Sequence, residues 1–253
     1  MEYNFTKFLN VSIQNVTMQY LLENVKKGAV VTPNIDHIIQ LQTNKEFYDA
    51  YQNSEWVFCD SRILYFLSKL TKNPLRETIP GVTFFREFFL YHKDDPNCKI
   101  FLLGAKEGIA KVAKDKINAM VNRNIVVGEY SPRFGFEKDP EEIKKMIDIV
   151  NNSGANVVLV GVGAPKQELF IYHYRDKMPG VDIWMALGAT IDFEAGELKR
   201  APKFFQFIGM EGMYRVIQEP KRLLPRFFRD LKFFPLFCKQ LMGLYKNPFE
   251  INE

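Results

Sequence analysis

Asp60 closes an apolar run, Trp56-Val57-Phe58-Cys59. A carboxylate at such a mouth is partly desolvated, which raises its pKa and makes it a stronger general base than a solvated aspartate. The same residue type also suits the N-cap of a helix starting at Ser61. A second reactive-looking stretch is Gly161-Val162-Gly163-Ala164-Pro165-Lys166-Gln167-Glu168, directly after Asn156-Val157-Val158-Leu159-Val160. A β-branched run ending in a glycine-rich turn is how α/β proteins present a phosphate or sugar pocket. Gly161 and Gly163 let the backbone approach a ligand. Pro165 suits the first turn of a helix. Gln167 is expected to face the substrate and Glu168 to serve the fold. An ordinary strand-to-helix turn has the same composition. Asp192 lies in Gly188-Ala189-Thr190-Ile191-Asp192-Phe193-Glu194-Ala195-Gly196, ahead of Lys199-Arg200-Ala201-Pro202. It would bind sugar hydroxyls, support an arginine, or act as a buried structural hydrogen-bonder.

Other chemistries lack their residues. His37, His92 and His173 are scattered, and Cys59, Cys98 and Cys238 show no ligand spacing. A catalytic metal is therefore not expected. There is no Walker A sequence and no GxSxG elbow. No GxGxxG follows the first strand, which counts against a nicotinamide dehydrogenase. No cofactor is expected.

The elements that must position these residues alternate. Strands are predicted at 29–31, 56–59, 99–103, 125–127, 156–160 and 183–187. Helices are predicted over 35–52, 61–70, 82–92, 106–122, 140–152 and from the glycine turn to about 176. The alternation implies an α/β fold, a Rossmann-like and mostly parallel sheet with helices on both faces. Ligands in such sheets bind beyond the carboxyl ends of the strands. Thr32, Asn34, Asp60, Gly104, the 161–167 turn and the 188–192 turn all fall there. A length of 253 residues, 47% of them apolar, fits one sizeable core with an appendage. The body is assigned to 1–202 and the appendage to 203–253.

The net charge of +4 is uneven. Residues 221–246 carry +6 and the remainder −2. Leu223, Leu224, Phe227, Phe228, Leu231 and Phe234 recur at steps of three and four before Pro235, which is expected to break the helix. A basic amphipathic helix of this kind lies in the headgroup region of an anionic membrane. It would alternatively pack on the body, pair with a second copy, or fold its arginines over a phosphate. The other elements do not call for nucleic acid. The low, odd cysteine count and the lack of a secretory signal point to the cytoplasm. No run approaches the roughly 20 apolar residues of a membrane span.

These motifs in order resemble the WecG/TagA/CpsF family of bacterial glycosyltransferases. The resemblance rests on Thr32-Pro33-Asn34, Cys59-Asp60-Ser61, Phe101-Leu102-Leu103-Gly104, the 161–168 segment, Asp192-Phe193-Glu194-Ala195-Gly196 with Arg200-Ala201-Pro202, and Glu211-Gly212-Met213-Tyr214-Arg215 leading to Glu219-Pro220-Lys221-Arg222. It implies inverting transfer of a sugar, N-acetylmannosamine or a related hexose, from a UDP-sugar to a polyprenyl-diphosphate-linked sugar. The setting implied is surface polysaccharide or teichoic acid synthesis at the inner membrane face, without a metal. Asp60 matches the family's proposed base and Thr32 its neighbour. Asn34, Gln167 and the glycine loops match pocket-lining positions. Arg215, Arg222 and one of Arg226 or Arg229 match the arginines that hold the UDP diphosphate. Thr78 and Thr83 stand where an arginine and an aspartate are common, and Ser61 where glycine is frequent. A non-catalytic nucleotide-sugar-binding module tethered to a membrane or partner is the alternative.

Overall fold

The computed structural model describes residues 3–198 and 220–250. It opens on an antiparallel hairpin, β1 (Phe5–Phe8) and β2 (Val11–Gln14). Along β1, Thr6 and Phe8 are buried while Phe5 and Lys7 face out, the two-residue period of a strand with one wet face. Helix α1 (Met18–Asn24) follows, capped by Thr17, whose side chain accepts from the Tyr20 amide. Neither the hairpin nor α1 is among the predicted elements.

The body is a six-stranded sheet of β3 (Gly28–Val31), β4 (Trp56–Val57), β5 (Ile100–Gly104), β6 (Val126–Tyr130), β7 (Val157–Gly161) and β8 (Ile183–Ala186). Its order is β4-β3-β8-β7-β5-β6, and every pair is parallel. All residues of β3, β5, β7 and β8 are buried. This is why these strands read as continuous apolar runs and not as alternations. The hairpin covers the β4 edge, where the Gln14 side chain accepts from the Val57 amide and donates to the Glu55 carbonyl.

Ten further helices surround the sheet among the described residues: α2 (Ile35–Gln40), α3 (Lys45–Gln52), α4 (Arg62–Ser68), α5 (Gly81–Tyr91), α6 (Ile109–Val121), α7 (Pro140–Ser153), α8 (Lys166–Tyr174), α9 (Thr190–Ala195), α10 (Pro220–Asp230) and α11 (Phe233–Leu241). The single helix predicted over 35–52 is two, because Asn44 caps α3 by accepting from the Phe47 amide. The tail helix breaks at Leu231–Lys232, ahead of Pro235. Pro235 itself sits in the first turn of α11, where a missing N–H costs nothing.

Each face of the sheet has its own core. One joins α2, α3, α4, α7, α8 and α11 to Val31, Leu103, Val160 and Trp184. The other joins α1, α5, α6 and α9 to Val30, Leu102, Leu159 and Met185. In α11, Phe237 stacks on Phe8 at 5.5 Å, so part of the aromatic tail packs on the hairpin. The helix after β7 goes to the first face, whereas those after its neighbours β5 and β8 go to the second. The chain therefore parts at the carboxyl ends of adjacent strands, the place where α/β sheets hold ligands.

Candidate active site

The carboxyl ends of β3, β4, β5, β7 and β8 deliver the expected residues to this one end of the sheet. After β3, Thr32 is buried and Asn34 caps α2, its side-chain oxygen accepting from the His37 amide at 3.0 Å. After β4, the helix cap falls to Ser61, whose hydroxyl accepts from the Leu64 amide at 3.3 Å. The capping alternative for Asp60 is thereby answered: the aspartate precedes the cap and is half-buried at the strand end. Burial pushes the neighbouring Cys59 thiol up to about 12. It stays protonated at neutral pH and donates to the Ser61 carbonyl.

The glycines prove to be two kinds. A Cβ on Gly104, at φ +136°, would stand 2.5 Å from the Gly161 carbonyl group. One on Gly161 would stand 2.8 Å from the Gly188 oxygen. Both residues are glycine because the ends of β5, β7 and β8 press together backbone to backbone. Gly163 differs. Its φ is +86°, and among the described residues nothing lies within 4 Å of where its Cβ would be. The chain then passes through a cis Ala164–Pro165 bond into α8.

Gln167, read from sequence as a substrate contact, is 2% exposed. Its oxygen accepts from the Gly163 amide at 3.2 Å and the Gly188 amide at 3.1 Å. Its nitrogen donates to Glu168 at 2.9 Å. The side chain thus braces two loops at this sheet end. Glu168 is also buried; desolvation pushes its carboxyl up to about 7, and its second oxygen has no partner among the described residues. On β8's side, Asp192 is half-buried in the first turn of α9. Arg86 fixes α9 with a two-pronged pair to Glu194 at 2.8 and 3.1 Å.

Three residues the sequence reading did not select complete the arrangement. Tyr51 of α3 is buried, and its hydroxyl lies 2.7 Å from His37 Nδ1. Burial, and then the charges of Glu168, Asp60 and Asp36, drive that phenol well above its usual range. The His37 ring is lowered to about 4 by burial and is neutral at physiological pH. Acids that follow three different strands, Glu168, Asp60 and Asp36, thus bear on one buried phenol. Asp36, two residues past the Asn34 cap, is buried and receives both Arg226, at 3.1 Å, and Arg229. Asp230, on the same helix as those arginines, is pushed up to about 7 by burial first and the Asp36 charge second.

The tail arginines therefore reach the site's own rim, through an acid at the start of α2. Arg200 and Arg215 lie outside the described residues, as does the side chain of Arg222. Among the described residues, no group of three His, Cys, Asp or Glu side chains is placed to hold a metal ion. None of the described helices is long and apolar enough to cross a membrane. The described part of this sheet end thus gathers Asp60, Asp36, Glu168 and Asp192 with Arg226 and Arg229 of the tail. Residues 6–247 match the model of the Glycosyl transferase WecG/TagA/CpsF family, and the chain belongs to that family.

Proposed function

We propose that the protein is an inverting transferase that moves a hexose such as N-acetylmannosamine from a UDP-sugar to a polyprenyl-diphosphate-linked sugar. Asp60 takes the proton from the acceptor hydroxyl as that oxygen attacks the anomeric carbon from the face opposite UDP. The UDP diphosphate leaves with the bonding pair, and its charge is met by Arg222, Arg226 and Arg215, whose forks suit two oxygens each. The Gly163 turn and Asp192 hold the sugar nucleotide, with Gly104, Gly161, Pro165 and Gln167 shaping that wall. Thr32 and Asn34 flank the base, and Arg200 contributes from the segment after α9.

The observation that carries this reading is the position of Asp60 in a glycosyltransferase-family chain: three residues beyond the carboxyl end of the parallel strand β4 and one residue ahead of the helix cap. The acceptor's lipid explains the tail. Leu224, Phe227 and Phe228 on α10, and Leu231 just past it, are exposed within the strongly basic segment, as suits peripheral attachment to the inner membrane face. The test is Asp60→Asn. UDP-sugar binding by calorimetry should persist, while transfer falls by about 10²–10⁴-fold, the usual share of a general base. Near-normal turnover in that variant would remove Asp60 from the base role.

A further inference from the structure

Helix α4 carries an apolar stripe that its own packing does not use. Ile63 and Phe66 on α4, and Leu70 two residues past its end, are 39%, 52% and 63% exposed, whereas Leu64 and Ser68 face inward. Isolated exposed apolar residues are ordinary, but a helical stripe of large ones on an already packed element is not. The surrounding chain is purely cationic. From Ser61 to Arg76 it holds Arg62, Lys69, Lys72 and Arg76 and no acid. Lys69 also lays its ammonium over the Tyr65 ring at 4.4 Å, on the same helix.

The segment after α4 and the C-terminal helix α11 are both tied to one strand, β1. Asn73, just past α4, accepts from the Thr6 hydroxyl at 2.6 Å and donates to the Phe5 carbonyl at 3.1 Å. Gln240 of α11 accepts from the Leu9 amide and donates to the Lys7 carbonyl, both at 2.7 Å. Four residues of extended chain span only about 13 Å, so the two elements meet the same short edge. Phe5, between them, is itself 49% exposed. Large exposed apolar groups in a segment whose only charges between Asp60 and Glu77 are cations match an anionic bilayer, in which the apolar groups enter the acyl boundary and the cations meet the headgroups.

We infer that α4 and the β1 edge form a second contact with an anionic lipid bilayer, beside the C-terminal helices. The inference rests on the reading that the acceptor is lipid-borne. It adds that the bilayer reaches the element that begins two residues after Asp60. The acceptor's sugar hydroxyl is then brought to the base at a fixed height above the membrane.

The test uses the full chain. Cys59 and Cys98 are buried, so with Cys238→Ser a Leu70→Cys variant takes an environment-sensitive fluorophore at one place. Vesicles of phosphatidylglycerol and phosphatidylcholine should blue-shift that probe, and phosphatidylcholine alone should not. The triple variant Ile63→Ser, Phe66→Ser, Leu70→Ser should lose about tenfold or more in partition onto the anionic vesicles, from the apolar area withdrawn. It should keep its circular dichroism spectrum and its UDP-sugar affinity. A probe that stays in water while the protein binds vesicles overturns the inference, since the tail alone then docks. A blue shift that grows with protein concentration in the absence of vesicles also overturns it, because a second copy then covers the face. Vesicle binding is read without any turnover, so a failure of the transferase reading leaves this result standing or falling by itself.

Discussion

Gln167 and Gly188, twenty-one residues apart, are joined by a 3.1 Å hydrogen bond from the glycine amide to the glutamine side-chain oxygen. The same oxygen takes the Gly163 amide, so one side chain ties the β7 loop to the β8 loop. Gln167→Leu keeps the volume and removes both acceptor bonds. Two partly buried amides then lose their partner, at about 1–3 kcal/mol. The expected outcome is a lowered urea midpoint and a raised KM for the sugar nucleotide. An unchanged KM would show that the loops hold their places without the brace.

The two kinds of glycine separate under alanine substitution. Gly104→Ala drives a methyl into the Gly161 carbonyl group and should destabilise the sheet end strongly or prevent folding. Gly163→Ala meets no atom among the described residues and bears only the left-handed backbone strain of about 1 kcal/mol. It should fold, with any activity loss traceable to the turn itself. Thermal melts of the two variants decide this, and equal melting temperatures would contradict it.

Glu168 makes stability depend on pH. Its carboxyl titrates near 4.5 when unfolded and near 7 when folded, so between these values the folded chain holds the extra proton. Stability from this group is complete below about pH 4.5 and is lost as pH rises through 7, a total of about 3 kcal/mol. Glu168→Gln keeps an acceptor for Gln167 without the titration. Urea midpoints at pH 5.5 and 8 should differ less in the variant than in the parent, and an equal difference would remove Glu168 as the source.

Asp230 acts in the same sense at the tail. With its carboxyl pushed from 3.8 to about 7, the ionised form faces the Asp36 charge, offset by Arg226 and Arg229. Docking of α10 on α2 should weaken as pH rises through 7. Asp230→Asn should raise the melting temperature at pH 8 and change it little at pH 5. A gain of equal size at both values would point to packing and not to charge.

The parallel sheet was legible because strands buried on both faces are unbroken apolar runs, as at Val157–Gly161. Strand ends were legible because glycine and acid follow such runs directly, as at Asp60 and Gly104. The hairpin escaped because its turn is Leu9-Asn10 and not a glycine pair, with Leu9 both at φ +53° and fully buried. The Asn44 cap, a local signal, could have divided 35–52 into two helices. Asp36 as the arginines' partner could not be read, since its contact to Arg229 spans 193 residues. Nor could Gln167 as a brace. Its type offers hydrogen bonds to a ligand or to backbone alike, and only the packed strand ends decide between them.

The union of Phe8 with Phe233 and Phe237 has a consequence during synthesis. Ribosomes make chains from the amino end, and the hairpin emerges more than two hundred residues before its aromatic partners. Phe8 and the backbone of Lys7 and Leu9 must wait, uncovered, until α11 arrives. All six strands of the sheet, the last ending at Ala186, are synthesised before the helix that covers Phe8 begins at Phe233.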